Sequence, residues 1–447
     1  MRQSIVILAA GQGRRMKSGT PKVLHPLGGR PMVSYAIAAA RALCDTPPVL
    51  VVGHGMEALQ ETAGDSVRYV RQAERLGTGH AVLQARPLLE GAADEVVVIY
   101  ADMPLLTAET LERVGAARRQ AAAALAFLTV VVDDPRGFGR VVRRPDNSVQ
   151  QIVEEADATA EQKAICELNA GVYTFDAAWL WPHLADLPRH ANGEYYLTDT
   201  VEIAVQQGQP IATVTAGDPA EVLGVNTRVH LAEAEAILRR RINRRWMEAG
   251  VTLRDPETTY IEPGVAIGQD TVIEPGTHLR GSTTIGARCL IGPHSLIVDS
   301  VIGDECRVLA SVVEQAVMEA GSDVGPFSHL RRGARLEAGA HVGNFGEVKN
   351  ATLGAGSKMG HFSYLGDAEV EAGVNIGAGT VTCNYDGKDK HQTYIEEDAF
   401  IGSGTMLVAP VRVGKGATTG AGAVVTHDVP AGAVVYGVPA RGKEAAD

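Results

Sequence analysis

The sequence predicts two domains of different fold class, an α/β domain with a largely parallel sheet and a parallel β-helix, joined by a long helix. Three observations predict this arrangement: a glycine-rich turn directly after an apolar segment near the amino terminus, an aliphatic recurrence every six residues in the second half, and helical spacing of apolar residues between the two. At 447 residues the chain is longer than one ordinary core supports, which agrees with more than one domain.

The amino-terminal half alternates short apolar runs with helix-like segments. Ser4 to Leu8 reads as a buried strand, and further runs follow at Val49 to Val52, Val96 to Tyr100 and Leu125 to Val132. Short continuous apolar runs are typical of parallel strands that are covered on both faces. We therefore expect a largely parallel α/β sheet.

The turn after the first of these strands, Ala9 to Met16, is rich in glycine and precedes a helix pattern. Such a turn presents backbone N–H groups to phosphate. It lacks the third glycine of a dinucleotide-binding motif and the Lys-Ser/Thr of a Walker loop. The turn therefore predicts a phosphate-binding loop of neither standard type.

Asp102 and Asn226 follow the apolar runs Val96 to Tyr100 and Val222 to Val225, which are both expected to be strands. Ligands of open parallel sheets collect past the carboxyl ends of strands. Two oxygen ligands suit Mg²⁺ held mainly by waters and substrate phosphates. Taken singly, Asp102 would cap a helix and Asn226 would be a turn residue; together with the glycine loop they favour a metal site.

Between the halves, His230 to Ala249 carries apolar residues at helical spacing, and Gly250 follows as a stop. We expect one connecting helix here. Nucleic-acid binding is an alternative role for the arginines in its carboxyl half, but the formal net charge of −12 favours a solvated helix face. The arginines are Arg239, Arg240, Arg241, Arg244 and Arg245.

From Ile261 to Val425 an aliphatic or similar small residue recurs every six positions, with single-residue slips. Neither a helix nor a flat strand has this period, but a three-sided parallel β-helix does, with eighteen residues in each coil. One unbroken run consists of Ile261, Ile267, Ile273, Leu279, Ile285 and Ile291.

Arg331 and Lys349 are eighteen residues apart, and each directly follows an inward residue, Leu330 or Val348. They are expected to stack on neighbouring coils about 5 Å apart. At an effective dielectric constant of about 20, two cations at that spacing repel by roughly 3 kcal/mol. An anion bound between the two cations would make the net interaction energy favourable. The alternative is that both side chains extend separately into solvent.

The largest departure from the six-residue period lies between Thr382 and Ile395, where thirteen residues replace one step. We expect Cys383 to Lys390 to leave the coil as a loop long enough to reach a neighbouring subunit, and loops on rigid scaffolds often carry function. His361 lies twelve residues past Lys349, two sides further round the coil, so it is not expected beside the cation pair within one chain.

The composition excludes several classes of protein. No apolar run approaches the eighteen residues of a membrane span, and the acidic charge argues against a nucleic-acid or anionic membrane surface. The five cysteines have no CxxC or zinc-ligand spacing, so mostly buried free thiols are expected. We expect a cytoplasmic protein.

Nine segments of the first half share their residues with a known family. They are Leu8 to Met16, Pro21 to Leu24, Gln72, Leu76 to Ala81, Asp102 to Leu105, Gly137 to Arg140, Ile152 to Glu154, Glu167 to Gly171 and Gly224 to Asn226. These segments resemble the sugar-nucleotide pyrophosphorylases. With the hexapeptide half included, nearly the whole chain resembles the bifunctional bacterial enzymes that make UDP-N-acetylglucosamine for peptidoglycan and lipopolysaccharide synthesis.

The resemblance implies a Rossmann-like, mostly parallel nucleotidyltransferase domain at residues 1–228, a helical linker at 229–249 and a left-handed parallel β-helix acetyltransferase domain at 250–447. It implies a homotrimer that binds neither nucleic acid nor membrane. The implied reactions are acetyl transfer from acetyl-CoA to glucosamine 1-phosphate, then UMP transfer from UTP to N-acetylglucosamine 1-phosphate with release of pyrophosphate and with Mg²⁺ as cofactor.

For uridyl transfer the resemblance implies one set of site residues. Arg15, the implied catalytic residue, and Lys22 contact phosphates, and Asp102 and Asn226 carry Mg²⁺. Ala101 stands where the family often has glycine, which places a methyl group beside the metal ligand. The implied nucleotide and sugar contacts are Leu8, Ala9, Ala10, Gly11, Gln72, Gly77, Thr78, Tyr100, Ala101, Gly139, Glu154 and Asn169.

For acetyl transfer the resemblance implies His361 as the catalytic base, which removes a proton from the amino-sugar ammonium before attack on a thioester. The chain departs from the family at Tyr436 to Pro439, where a CoA-contacting arginine is common, and Arg441 and Lys443 are candidates to replace it. The implied glucosamine 1-phosphate contacts are Arg331, Lys349, Tyr364, Asn375 and Lys390. The implied acetyl-CoA contacts are Ala378, Asn384, Tyr385, Ser403 and Ala421.

Two alternatives stay open at the level of sequence. A single-activity sugar nucleotidyltransferase would use the β-helix only to form and regulate an oligomer. A non-enzymatic protein would use it as a scaffold and the first half as a nucleotide sensor. Neither alternative requires the loop after Thr382 or His361, and a sensor does not require a complete set of Arg15, Asp102 and Asn226.

Overall fold

The computed structural model describes residues 1–11, 13–53, 56–135 and 137–437. By its internal contacts the chain divides into two units, Met1–Leu238 and Arg239–Asp447. The candidates Arg441 and Lys443, together with Val438 and Pro439, lie outside the described residues.

The first unit contains a mixed sheet with helices along the chain between its strands. The strands are β1 Gln3–Leu8, β2 Pro26–Leu27, β3 Arg30–Pro31, β4 Val49–Val52, β5 Arg68–Arg71, β6 Glu95–Tyr100, β7 Leu125–Val131, β8 Arg140–Arg143, β9 Val149–Val153, β10 Glu167–Asp176 and β11 Ile211–Thr215. The α-helices are α1 Val33–Leu43, α2 Met56–Ala63, α3 Gly77–Leu83, α4 Arg86–Leu89, α5 Ala108–Gln120, α6 Ala160–Lys163, α7 Ala177–Ala185, α8 Asp199–Gln206 and α9 Arg228–Glu248, which continues into the second unit. The 3₁₀ turns are Arg14–Met16, Lys22–Leu24, Gly64–Ser66 and Pro219–Val222.

The main sheet has the strand order β11-β7-β10-β6-β1-β4-β5, with the β8/β9 hairpin attached to β10. β1 pairs in parallel with β4 and β6, as do β4 with β5 and β7 with β11. Among the described strands of this order, β10 alone opposes the common direction, because it is antiparallel to both β6 and β7. The prediction of a largely parallel sheet is confirmed.

Both faces of this sheet are covered, which explains the continuous apolar runs. In β1, Ile5 and Ile7 belong to one buried cluster, whereas Val6 and Leu8 belong to a second cluster on the opposite side. All four side chains are at most 8 % exposed. A strand without polar alternation is the expected consequence of burial on both faces.

The expectation of a strand at Val222 to Val225 is wrong. The segment Pro219–Val222 forms a 3₁₀ turn because Pro219 fits the first helical position and the Asp218 side chain accepts a hydrogen bond from Ala220 N. The chain then extends, and Val225 N donates to Asp102 O at 2.8 Å. Asn226 is therefore tied to the end of β6 by one loop-to-loop hydrogen bond and does not end a strand of its own.

The connecting helix α9 spans Arg228–Glu248, within two residues of the predicted start and one of the predicted end. Thr227 Oγ1 accepts a hydrogen bond from His230 N at 3.2 Å at the start of the helix. Gly250 follows with φ of +92°, a conformation that ends helices at low cost only for glycine. The prediction of a long helix stopped at Gly250 is confirmed.

The second unit is a parallel β-helix with three faces, named here in order of appearance. The first face has strands Thr252–Leu253, Val272–Ile273, Leu290–Ile291, Arg307–Val308, Asp323–Val324, His341–Asn344, Lys358–His361, Asn375–Ile376, Phe400–Ile401, Thr418–Thr419 and Val434–Val435. The second has Tyr260–Ile261, His278–Arg280, Leu296–Val298, Val312–Glu314, His329–Leu330, Glu347–Lys349, Tyr364–Gly366, Val381–Cys383, Met406–Val408 and Val424–Val425. The third has Ala266–Ile267, Thr284–Ile285, Val301–Ile302, Val317–Met318, Arg335–Leu336, Thr352–Leu353, Ala368–Val370, Thr393–Ile395 and Val411–Val413.

Coil length varies more than the six-residue period predicts. Tyr260 pairs with His278, eighteen residues on, as expected. Leu296 pairs with Val312 after only sixteen residues, because residues are missing at the corners where the period slips. Ala368 pairs with Thr393 after twenty-five residues, so the extra residues leave the coil without disturbing the ladder.

No helix within the described residues combines the length and the apolar character of a membrane span. Of the free cysteines, Cys289 and Cys306 are buried, Cys44 and Cys383 are partly exposed and Cys166 is exposed. The expectation of mostly buried thiols is therefore wrong for the first unit, whose Cys44 and Cys166 lie outside its core.

Candidate functional site

A cavity of 630 Å³ opens past the carboxyl ends of β1 and β6. This position follows from the parallel sheet, because loops after neighbouring parallel strands meet at one edge. Arg75 and Glu194 also line it, although the sequence did not single them out. The predicted residues that line it are Leu8, Ala9, Ala10, Gly11, Lys22, Gln72, Gly77, Thr78, Tyr100 and Asp102.

The glycine loop reaches this cavity through a left-handed turn at Gly13. Its φ is +60°, and a Cβ there would lie 2.6 Å from Lys22 Cβ, so only glycine allows this approach. In the 3₁₀ turn that follows, Arg14 lines the cavity, whereas Arg15 is exposed and is not among the lining residues. The arginine that the resemblance marks as catalytic therefore lies outside the cavity wall.

The Lys22 ammonium lies between the two predicted metal ligands. Its Nζ forms an ion pair with Asp102 Oδ2 and donates to Asn226 Oδ1 at 3.0 Å. The side chains of Lys22 and Asp102 are 10 % and 19 % exposed, so this contact is largely shielded from water. The structure thus brings the carboxylate and amide oxygens together around a single positive charge.

A second cavity of 290 Å³ adjoins the first and shares Thr78, Tyr100, Asp102 and Glu194 with it. The two cavities therefore form one continuous cleft with Asp102 at the junction. The second cavity also has Tyr196 and Thr198 in its wall, which the sequence did not single out, and Gly171, the last residue of one of the family segments. The predicted residues in its wall include Gly139, Glu154, Asn169 and Asn226.

A register shift in β10 shapes the wall of the second cavity. The pairing of β10 with β7 slips between Asn169 and Tyr173. Asn169 Nδ2 donates to the Tyr173 hydroxyl at 2.6 Å, and Asn169 Oδ1 accepts from Gly171 N at 3.1 Å. Gly171 has φ of +79°, and a Cβ there would lie 2.9 Å from the Tyr100 ring. The irregular strand thus turns the Asn169 amide toward the cleft and lets Tyr100 pack against the backbone.

Two titratable groups, the Tyr100 phenol and the Glu154 carboxyl, are partly buried in the wall of the cleft. Burial raises the pKa of Tyr100 well above its usual value, with the nearby Glu154 and Asp102 carboxylates adding to the effect. Burial also raises the pKa of Glu154, while the hydroxyl of Thr198, which donates to Glu154 Oε1 at 3.0 Å, acts in the opposite direction. The cleft therefore offers a neutral phenol and a carboxyl group as hydrogen-bonding partners.

Ala101 does not enter the cleft. Its side chain is 0 % exposed and packs in the core cluster behind the sheet edge. Its backbone N–H donates to Leu8 O at 3.0 Å, which continues the pairing of β1 with β6. The methyl group beside Asp102 therefore points away from the metal ligands.

The segment between Leu187 and Thr198, called the strap below, crosses the cleft. Leu197 N donates to Thr78 Oγ1 at 3.0 Å, and Gly79 N donates to Tyr195 O at 2.9 Å. The same segment carries Tyr196 and Thr198 into the second cavity. No periodic signal marks such a loop, and only its polar and aromatic residues ahead of a helix pattern could have suggested a role.

Replacing Gly77 by alanine is expected to lower the free energy of unfolding by about 1–3 kcal/mol. Gly77 has φ of +95°, and a Cβ would lie 2.5 Å from Tyr195 O, so both the backbone and the strap would have to move. Gly91→Ala is the matched control, since Gly91 also has positive φ, +74°, but its Cβ would meet nothing within 4 Å. Urea unfolding measures both; equal losses would mean that the strap contact has no effect.

In the β-helix, the predicted stacking of Arg331 and Lys349 is confirmed by register. Leu330 pairs with Val348, both fully buried, and Arg331 N donates to Val348 O at 2.9 Å. Glu347 Oε1 forms an ion pair with Arg331 Nη1 at 2.7 Å, so one of the two cations has a carboxylate partner within the chain. Glu347 lies two residues before Lys349, and the sequence analysis did not identify this partner.

The second face carries further polar residues on the next coils. The Tyr364 hydroxyl hydrogen-bonds to the Asn384 side chain, and burial raises the pKa of Tyr364. The Asp367 carboxylate accepts hydrogen bonds from both Asn350 and Asn384. Lys349, Tyr364 and Asn384 therefore occupy one region of this face, with Asp367 as a connecting residue that the sequence did not indicate.

The loop begins one residue later than expected, since Cys383 still belongs to the strand Val381–Cys383. Tyr385 and Lys390 form an isolated antiparallel bridge, and His391 N donates to Asn384 O at 2.8 Å. Tyr385 and Lys390 are exposed. The loop is thus a short hairpin that projects from the corner after the second face.

Three of the expected acetyl-CoA contacts, Ala378, Ser403 and Ala421, form a row at the corner that follows the first face. Gly404 N donates to Ala378 O at 2.7 Å, and Gly422 N donates to Ser403 O at 2.8 Å. Gly379 N donates at 2.9 Å to Phe362 O, which lies on the coil before Ala378. The expected catalytic residue His361 directly precedes Phe362, so the structure places it at the same corner, next to the row.

His361 is exposed at the end of its strand, opposite Asn344 of the preceding coil. Asn375 lies on the same first face, paired with Lys358. The cation pair lies on the second face, so the prediction that His361 is not beside it within one chain is confirmed.

Comparison with known proteins gives consistent matches over both halves. Residues 5–253 match the model of the MobA-like NTP transferase domain, and residues 264–299 and 392–427 match the bacterial transferase hexapeptide model of six repeats. The bifunctional protein GlmU of Heliobacterium modesticaldum is 48 % identical over 97 % of this chain and 95 % of that protein. The same-named protein of Exiguobacterium sibiricum is 48 % identical over 96 % of each chain, and that of Stutzerimonas stutzeri 49 % over 99 % of this chain and 97 % of its own length.

Proposed function

The chain belongs to the bifunctional GlmU family, and we propose from this premise which of its residues carry each of the two reactions. It is a bifunctional transferase with a nucleotidyltransferase domain and a left-handed β-helix of hexapeptide repeats. It transfers an acetyl group from acetyl-CoA to glucosamine 1-phosphate, and UMP from UTP to N-acetylglucosamine 1-phosphate with release of pyrophosphate. The product, UDP-N-acetylglucosamine, serves cell-wall synthesis.

The continuous cleft of the first unit supports our assignment of uridyl transfer. The larger cavity, with the glycine loop and Gln72, takes the nucleotide, and the smaller cavity, with Glu154 and Asn169, takes the acetylated sugar. This arrangement directs a phosphate oxygen of the sugar phosphate toward the α-phosphorus of UTP near Asp102. A new P–O bond forms as the bond to pyrophosphate breaks, and alignment with charge neutralisation is sufficient for this chemistry.

Asp102 and Asn226 fit a divalent cation, because a positive charge, the Lys22 ammonium, already satisfies both of their oxygens. Among the described residues no cluster of three or more His, Cys, Asp or Glu side chains forms a metal site, which agrees with an ion held mostly by water and phosphate oxygens. Bound Mg²⁺ would neutralise phosphate charge. Lys22 and Arg14 are placed to contact phosphates, and Arg15 would need to turn inward to do so.

In the second unit we assign acetyl transfer to His361 and the polar residues of the second face. His361 removes a proton from the ammonium of glucosamine 1-phosphate, the free amine attacks the thioester carbonyl, and coenzyme A leaves as its thiol after protonation. Arg331 and Lys349 bind the phosphate, and Tyr364, Asn375 and Lys390 contact the sugar phosphate. Acetyl-CoA lies along the corner row and contacts Asn384 and Tyr385 of the loop.

We further propose a cytoplasmic homotrimer. Within one chain, His361 ends a strand of the first face, whereas Arg331 and Lys349 lie at the far end of the second face, so the width of the second face separates the base from the phosphate-binding pair. A neighbouring copy can supply the missing group, and the exposed hairpin loop projects far enough to take part.

Omitting substrates one at a time separates this assignment from a single-activity enzyme. The full chain is incubated with glucosamine 1-phosphate, acetyl-CoA, UTP and Mg²⁺, and free thiol and pyrophosphate are measured. Without acetyl-CoA, pyrophosphate release should stop and be restored by N-acetylglucosamine 1-phosphate; without UTP, thiol release should continue. Absence of thiol release under every condition would favour a β-helix that only assembles the oligomer.

A further inference from the structure

One imidazole connects the strap to the helix behind the sugar cavity. His190 Nε2 lies 2.8 Å from Asp199 Oδ2, the first residue of α8. The His190 ring also packs against the ring of Tyr196, with centroids 4.1 Å apart and an interplanar angle of 30°. Because Tyr196 lines the sugar cavity, His190 touches the cavity wall from outside without entering it.

The same contact reaches Glu154 through two neighbouring residues. Thr198, which precedes Asp199, donates its hydroxyl to Glu154 Oε1 at 3.0 Å. The Asp199 side chain is only 15 % exposed, and that of His190 is 31 % exposed. The ion pair thus fixes the end of the strap at the point where Thr198 meets the partly buried carboxylate.

The surroundings of this pair are strongly acidic. Glu154 and Asp157, which follow β9, Glu202 on α8 and Glu194 on the strap all lie near Asp199 or Tyr196. Burial raises the pKa of both Glu154 and Asp199, and the His190 imidazole acts in the opposite direction on both. His190 is thus a basic side chain that interacts with both Glu154 and Asp199.

We propose that His190 is a positioning residue for uridyl transfer, which holds Tyr196, Thr198 and the Glu154 carboxylate in the geometry that binds the sugar of the sugar phosphate. This role rests on the proposed assignment of Glu154 to the sugar subsite. His190 acts through its hydrogen bond to Asp199 and its ring contact with Tyr196. It therefore affects sugar binding and leaves the nucleotide half of the cleft unchanged.

The experiment compares His190→Ala, His190→Gln and Glu154→Gln in the full chain, with His183→Ala as a matched control. His183 stacks on Trp179 in the same unit and is not among the residues lining either cavity. We expect His190→Ala to raise the KM for N-acetylglucosamine 1-phosphate about tenfold, with kcat and the KM for UTP changed by less than about twofold. His183→Ala should leave all three near wild type.

His190→Gln separates the hydrogen bond from the ring contact, because its amide can still donate to Asp199 but has no ring to pack against Tyr196. Its KM for the sugar phosphate should lie between those of the wild type and His190→Ala.

Three results would separately contradict the proposed sugar subsite or the proposed role of His190. If Glu154→Gln leaves the KM for the sugar phosphate unchanged, the proposed sugar subsite is wrong. If Glu154→Gln raises it but His190→Ala does not, the subsite stands and the role of His190 is refuted. Equal losses in kcat and in both KM values for His190→Ala would show general damage to the fold and would also refute a positioning role.

Discussion

Replacing His361 by alanine is expected to lower acetyl transfer by about 10²- to 10⁴-fold and to leave uridyl transfer unchanged. The amino group of the substrate is protonated near neutral pH and has no free electron pair, so the reaction needs a base that titrates in that range. His361 is exposed at the same corner as Ala378, Ser403 and Ala421, one coil before Ala378, so an acyl donor can reach it from solvent. Both activities are measured on the same preparation.

His341→Ala is the matched control for this prediction. His341 lies on the same first face one coil earlier and forms an ion pair with Asp323 at 2.9 Å. It carries no assigned role, so its loss should leave acetyl transfer near wild type. An equal fall of uridyl transfer in His361→Ala, or an equal fall of acetyl transfer in His341→Ala, would contradict an independent base at His361.

Replacing Asp102 by asparagine should lower uridyl transfer by about 10²- to 10³-fold and raise the Mg²⁺ concentration needed for half-maximal rate. The change keeps the shape of the side chain but removes its charge. Lys22 keeps its bond to Asn226 and can still donate to the new amide oxygen, but the ammonium loses the negative charge that balances it. Pyrophosphate release at a series of Mg²⁺ concentrations measures the effect.

Asp94→Asn controls for the loss of an acidic residue elsewhere in the same unit. The Asp94 carboxylate pairs with Arg2 at the surface, and this bond lowers the pKa of Asp94 to about 2. Its replacement should leave both rate and Mg²⁺ requirement unchanged. An Asp102→Asn protein with normal uridyl transfer at low Mg²⁺ would exclude a metal role for Asp102.

The β-helix was predictable because its signal is periodic and local. Each inward position, such as Leu330 or Val348, requires a small aliphatic side chain. The register between neighbouring coils could therefore be predicted by counting eighteen residues along the sequence. The count failed where coils shorten, as between Leu296 and Val312, because corners tolerate missing residues without a change in the inward positions.

The cleft was predictable only where residues follow strands. Asp102 was placed correctly because β6 has a clear apolar pattern, whereas the residues assigned to a strand before Asn226 are the end of a 3₁₀ turn and an extended segment. Arg14 and Arg15 are adjacent in sequence, and spacing could not decide which one faces the cavity. The strap escaped prediction because its role depends on hydrogen bonds to Thr78 and Gly79, more than a hundred positions away in the chain.

The coil-on-coil construction of the second unit has a consequence for how it melts. Each coil contacts only the coils before and after it, so every coil depends on its two neighbours for stability. Glu347, Tyr364 and Val381 lie on three consecutive coils, and the hairpin loop leaves the last of them. A cavity created at Leu365, on the middle coil, would weaken the contacts between these coils, and the acetyl-transfer site would unfold as a unit.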